Sequence, residues 1–395
     1  MMKILQHYSL SRIVQHELCL LFLRGTLLLI AVPALLSCTS VSAGSRMQDN
    51  AEAAVIDLPV VKLNQIDPLT QTIEQINSAR VVLVGETHTR YDHHMVQLEI
   101  LKQLHRQSPN VALGVEWFQQ PYQAHLDAYV AGEISEKEML HLTDYFERWR
   151  YDYRLYRPII QFAREHKIPI IALNASRELT RALSKSGFDK LSAELREQLP
   201  ESYDWSDKDY EKRLRAIYES HPDYSGDFDD FLRGQLTWDE SMAERAAKYL
   251  HENPETRMLI LAGSGHIAYG SGIPNRIKRR TDVEQFSILV SEDYLTVSED
   301  LADFLVLSTE QSLEPVGLIG ALLETGDNLV VIKGFSRNSA IKEAGVEKGA
   351  VIIGVDDETV ENFTDFKLAI MEKKRGDSIE LHYLENGEDG KNDRK

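Results

Sequence analysis

The sequence predicts an α/β fold, a mainly parallel sheet flanked by helices, followed by a small α+β unit. Three observations carry this. Five short apolar runs (80–85, 111–116, 168–174, 257–263 and 286–291) are separated by longer amphipathic stretches. Each run is continuously apolar rather than alternating, as strands covered by helices on both faces should be. From about residue 312 the pattern changes to shorter strands joined by turns, with two brief helical stretches between them.

The elements follow in order. "RVVLVG" (80–85) is the first strand, and Asp92 stands where it can cap the helix "HHMVQLEILKQLHRQ". "VALGVE" (111–116) is the second strand; Pro121 sits at the first turn of the next helix and Gly132 after its last. Ser135 and Glu138 have capping-box spacing, "IPIIALN" (168–174) is the third strand, and Gly187 closes "RELTRALSKS". The long helix "DDFLRGQLTWDESMAERAAKYLHEN" precedes the fourth strand, "RMLILAG" (257–263), and "FSILVS" (286–291) is the fifth. In the second unit "GLIGALLE", "NLVVIKGF", "GAVIIGVDDETV" and "SIELHYLENG" read as strands, with "NSAIKEAG" and "TDFKLAIMEKKRG" as helices. The charged end, 387–395, reads as a disordered tail.

Residues 1–37 read as a signal peptide. Arg12 and Arg24 precede the apolar run "TLLLIAVPALLS" (26–37), which is too short to span a bilayer. It ends in "LLSC" (35–38), which resembles the lipobox of bacterial lipoproteins. That resemblance implies cleavage before Cys38, lipid on Cys38, and, with Thr39 next, an outer-membrane lipoprotein facing the periplasm. Residues 38–59 then form a small, polar, flexible tether to a domain spanning 60–308. The only cysteines are Cys19 and Cys38, so the lipidated chain keeps no free thiol for catalysis or metal binding. The net charge of -18 disfavours nucleic acid as a partner, and its one basic interruption is "RIKRR" (276–280).

The chemistry gathers at strand ends. The first strand runs into Glu86 and His88, the second ends on Glu116, the third on Asn174, and the fourth leads to His266. In a parallel α/β sheet these carboxyl ends share one edge. "GETH" (85–88) and "GSGH" (263–266) both read Gly-x-x-His, with glycine expected to turn the chain sharply off the strand. Two imidazoles and two carboxylates meeting there suit a metal site or acid–base work, with Glu86, His88, Glu116 and His266 as metal ligands. His93 and His105 read as cap or solvated residues. His94 either lines the site or packs its helix, and Asp239 in "QLTWDESMAERA" either adds an acid or accompanies a core tryptophan.

At these residues the chain resembles the ChaN-like haem-binding lipoproteins. The shared stretches are "VVLVGETHTRYDHHMVQLEIL", "GVEWF", "YRPIIQFAREHKIPIIALN", "QLTWDESMA" and "LILAGSGHIAYGSGIPNRI", in the family's order across about 60–308. The wider superfamily includes the Tiki proteases and erythromycin esterases. The resemblance implies haem or iron as cofactor, a role in haem or iron acquisition in the cell envelope, tyrosine as the haem ligand, and haems paired between the subunits of a homodimer. Tyr269 and Tyr91 lie nearest the constellation, with His94 beside them as a cofactor-binding candidate. The rival is a metal-dependent hydrolase, with Glu86 or Glu116 as catalytic base and zinc or manganese on the histidines. Neither His-Glu-x-x-His nor a serine elbow is present to support it.

Residues 312–386 resemble a PDZ domain. "GLIGA" (Gly317, Leu318, Ile319, Gly320, Ala321) matches the loop that receives a peptide carboxylate, and "GFSRNSAIKEAGVEKGAVIIGVDDETV" matches the bacterial form, with Ala350 where aspartate is usual. The resemblance implies capture of a peptide C-terminus, from an envelope protein, by addition of a strand.

Overall fold

The computed structural model describes residues 66–220, 226–291, 298–326 and 329–385. The signal peptide, Cys38, the tether and the 387–395 tail lie outside the described residues.

The five apolar runs become strands: β1 (Val81–Glu86), β2 (Val111–Gln119), β3 (Ile170–Asn174), β4 (Arg257–Gly263) and β5 (Gln285–Ser291). A sixth, β6 (Phe304–Leu307), was not anticipated; it has four residues and lies half-exposed at the sheet edge, so its apolar signal is short. The order is β3-β2-β4-β1-β5-β6 and every pairing is parallel. Successive side chains point to opposite faces. Thus Val82, Val84, Leu113 and Val115 enter one apolar core, while Val81, Leu83, Ala112 and Ile260 enter another.

Helices cover both faces. They are α1 (Leu69–Gln75), α2 (Tyr91–Gln107), α3 (Gln123–Ala131), α4 (Glu136–Leu142), α5 (Tyr145–Arg148), α6 (Arg157–Glu165), α7 (Arg177–Ser186), α8 (Ala193–Arg196), α9 (Lys208–Glu219), α10 (Phe228–Glu252) and α11 (Ile273–Arg280). The Ser135–Glu138 capping box forms as expected. Asp92 does not cap α2. The cap position is Arg90, and Asp92 lies inside the first turn, where it pairs with Arg90 at 2.9 Å and accepts from Ser308 Oγ at 2.6 Å. The basic stretch is only partly a surface feature, with Lys278 and Arg279 exposed and Arg276 buried. Arg276, Arg279 and Arg280 converge on the buried Glu240 at 3.2, 2.6 and 2.7 Å, so three of the stretch's four charges have an internal partner.

The second unit is an antiparallel sheet, β10-β9-β8-β7 with β11 also on β9. The strands are β7 (Ala321–Gly326), β8 (Leu329–Phe335), β9 (Val351–Val355), β10 (Glu358–Thr359) and β11 (Leu381–Leu384). Helices α12 (Ala340–Glu343) and α13 (Phe363–Ile370) accompany it, and Val330, Ile332, Ile352, Phe366 and Ile370 form its own core. No helix among the described residues is long and apolar enough to cross a membrane.

Gly85 sits within β1 where a Cβ would come 2.4 Å from Leu289 Cδ2 and 3.1 Å from the Ser264 Cα. Gly85→Ala should therefore destabilise the chain by about 1–3 kcal/mol, the usual cost of overpacking. A urea midpoint at the wild-type value would disprove this account of the contact.

Candidate functional site

The topology makes the site. β2, β4 and β1 are neighbours, so Glu116, the loop carrying His266, and the Glu86–His88 segment emerge side by side at their carboxyl ends. Ligand sites in open α/β sheets form at this edge, where the strand order reverses. The glycines of the two Gly-x-x-His stretches act differently from expectation: neither Gly85 nor Gly263 has positive φ. Gly85 instead removes the side chain that would separate β1 from the loop after β4.

A bulge aims Glu116. Val115 pairs with Ala172 and Gln119 with Asn174, so Glu116, Trp117 and Phe118 stand against Leu173 alone. Such a bulge re-aims side chains at a strand end. One Glu116 oxygen accepts the Gly263 N–H at 2.7 Å, and Asn174 Nδ2 donates to the Glu116 carbonyl at 3.0 Å. The other Glu116 oxygen lies 3.4 Å from His266 Nε2. His266 Nδ1 lies 2.6 Å from Asp239 on α10, and Tyr210 of α9 donates to the second Asp239 oxygen at 2.6 Å. His88 Nδ1 is 2.6 Å from Glu86 Oε1, and the His88 ring is walled by Trp149 and Tyr151 at centroid distances of 4.9 and 4.8 Å.

All four sequence-predicted residues therefore converge; Glu86, His88 and Glu116 are buried at 1, 5 and 5 % exposure, and His266 is partly buried. Desolvation raises the Glu116 pKa, but His266, His88 and the Gly263 N–H outweigh it and hold the carboxyl at about 2. Desolvation lowers the His266 pKa, but Glu116 and Asp239 outweigh it and hold the imidazolium well above its usual range. His266 is thus held between two carboxyl groups, with both ring nitrogens engaged. That arrangement can move protons. Among the described residues no three His, Cys, Asp or Glu side chains are grouped to hold a metal ion. The expected Glu86, His88, Glu116 and His266 metal set, with zinc or manganese, gains no support from this donor geometry.

The other candidates separate. His94 is fully buried behind the site; its Nδ1 faces Gln97 and its Nε2 the His88 carbonyl, both at 3.1 Å, so it supports the His88 backbone and offers no nitrogen to a cofactor. His93 is buried rather than solvated, and its Nδ1 accepts the Thr87 N–H at 3.1 Å. Tyr91 opens α2 and packs on the first core. Tyr269 stands in the loop after His266 with φ 61°, a left-handed conformation rare for a tyrosine, and is half-buried. The Arg213 guanidinium lies 4.8 Å from its ring centroid. Beside the histidines, Trp117, Trp149, Trp238, Arg148, Arg177 and Asn174 line a cleft with Glu116. Sequence reasoning left Asp239 undecided and missed Tyr210, whose role depends on a helix packing that no local pattern signals.

In the second unit β7 pairs only with β8 among the described residues, leaving its outer edge to receive a strand. Leu318 is 82 % exposed, and Gly320 has φ 79°. The Gly317 N–H donates to the Lys373 carbonyl at 2.8 Å and so is already engaged within the unit.

Comparison with known proteins matches residues 72–277 to the family described as haem-binding uptake, Tiki superfamily, ChaN, and residues 317–393 to the PDZ domain. No curated protein sequence matches. The ChaN of Campylobacter jejuni, solved for its cofacial heme binding, is 19 % identical with a TM-score of 0.50, covering 60 % of this chain and 91 % of that one. An erythromycin esterase in its open conformation is 10 % identical with a TM-score of 0.35, covering 72 % of this chain and 85 % of that one. A Bacillus cereus protein is 16 % identical with a TM-score of 0.35, covering 59 % and 70 %.

The opposite shifts of Glu116 and His266 fix a pH window. A depressed carboxyl contributes stability above its unfolded pKa and loses it as pH falls from about 4.5 towards 2. A raised imidazole contributes fully below 6.5 and loses it as pH rises through its folded pKa. His266→Gln should therefore cost most between about pH 4.5 and 6.5, measured by urea unfolding. A cost that is flat from pH 3 to 9 would contradict the clamp.

Proposed function

The chain belongs to the haem-binding uptake family of ChaN in the Tiki superfamily, and from that premise we propose that it binds haem at the carboxyl edge of its parallel sheet, with Tyr269 as the iron ligand. Haem iron accepts a tyrosine phenolate as axial ligand. The observation that carries the reading is Tyr269 itself. Its strained backbone holds the ring in the loop that follows His266, no described side chain hydrogen-bonds its hydroxyl, and Arg213 places a positive charge over a ring that would carry negative charge on iron. Tyr91, at the start of its helix and without the strained backbone of Tyr269, is the weaker ligand. Cofacial pairing of two haems would call for a second copy of the chain, and the proposed role is haem or iron acquisition.

The protein acts, in this reading, from the cell envelope, lipidated at Cys38, with the PDZ domain capturing a peptide C-terminus on the edge of β7 and the amides of Leu318 to Ala321. The "LLSC" stretch and the unpaired β7 edge support these roles.

A second reading, a hydrolase, is favoured by the two histidine–carboxylate pairs. Glu86–His88 could take a proton from water, while the cationic His266 between Asp239 and Glu116 could give one to a leaving group. Neither step needs the metal of the original hydrolase expectation.

Haem titration followed at the Soret band decides between them. Tyr269→Phe should weaken binding by about tenfold or more, and Tyr91→Phe should leave it unchanged. Equal affinity of Tyr269→Phe and wild type would sink the ligand assignment. Unaltered haem binding by His88→Gln would leave the buried pairs free for hydrolysis. For the anchor, Cys38→Ser should move the protein from the membrane pellet to the soluble periplasmic fraction; continued sedimentation with membranes would exclude lipidation at Cys38.

A further inference from the structure

The wall over His88 is held from outside the first unit. It consists of Trp149 and Tyr151, which follow α5, a helix of one turn. Two non-glycine residues with positive φ lie in this segment, Asp144 before α5 at 52° and Arg150 between Trp149 and Tyr151 at 75°. Such conformations persist where surrounding contacts impose them. One imposing contact comes from the PDZ unit. Lys367 of α13 sets its Nζ 5.9 Å from the ring centroid of Phe146, in the middle of α5. Met371, just past α13, is buried in the core of the first unit rather than in that of its own. Around this apolar contact lie ion pairs between the units: Arg157 with Glu372, His141 with Asp365 at 3.3 Å, and Lys137 with Glu358 at 2.6 Å.

We propose that the PDZ unit is a structural part of the candidate site: α13 holds α5, and α5 carries the aromatic wall that keeps His88 covered. Met371 and Lys367 are positioning residues, acting on His88 through Phe146 and Trp149. Whatever draws α13 away, including a peptide wedged between it and β7, uncovers His88. A site reached this way is opened by the module that recognises the partner, and not by the haem or substrate itself. The inference rests on His88 being a site residue. Its test uses neither haem nor substrate, so its failure is distinct from failure of the proposed function.

Two readings on the full chain test it. Carbodiimide should join Lys137 to Glu358 without a spacer in wild type, detected as a cross-linked peptide by mass spectrometry. Diethyl pyrocarbonate should modify His88 slowly relative to the exposed His251, which serves as the internal standard. In the double variant Met371→Asp/Glu372→Lys the cross-link should disappear and the His88 rate should rise by about tenfold, as local opening predicts. Met371→Leu should keep both at wild-type values, which separates loss of docking from loss of fold. No cross-link in wild type would overturn the docking. An unchanged His88 rate in a double variant that has lost the cross-link would overturn the dependence of the wall on the PDZ unit.

Discussion

The structure of the site depends on one interaction, the clamping of His266 between Asp239 and Glu116. An imidazolium is costly to bury alone and is retained inside a protein only when paired and hydrogen-bonded. Three elements meet that demand together: β2 supplies Glu116, α10 supplies Asp239, and the loop after β4 supplies the histidine. Tyr210 fixes the far side of Asp239, and the Gly263 N–H fixes the far side of Glu116. Each carboxylate is thereby held by its own partner, and the charge sits where the sheet edge opens.

The neighbouring pair, Glu86 with His88, obeys a different constraint. It lies on β1, which must approach the loop after β4 closely enough for Ser264 to donate to the Glu86 carbonyl at 3.2 Å. The absent side chain of Gly85 permits that approach. Behind the pair, His94, His93 and Tyr156 each give one polar atom to the loop: His93 accepts the Thr87 N–H, and Tyr156 donates to the His88 carbonyl at 3.3 Å, beside His94. The histidine-rich stretch therefore divides its labour. One imidazole faces the site and two brace the backbone that presents it.

The aromatic wall ties this chemistry to the second unit. Parallel sheets are covered on both faces, but the carboxyl edge is closed only by loops. Here the closing segment is a single helical turn between two strained residues, and its outer face is covered by a helix of the PDZ unit.

The sequence by itself determined the layers, because strands buried on both faces must be apolar throughout and the five runs could be read without knowing their partners. It also determined which strand ends carry Glu86, His88, Glu116 and His266, since those residues abut the runs. The edge strand β6 escaped because four half-exposed residues leave little pattern. Only the tertiary structure decided the roles. The strand order placed β4 between β1 and β2, the bulge turned Glu116 inward, and α9 and α10 brought Tyr210 and Asp239 to His266. Contacts between residues distant in sequence leave no local period, and proton affinity is set by neighbours and burial, so the charge state of His266 and Glu116 belongs to the fold and not to the sequence.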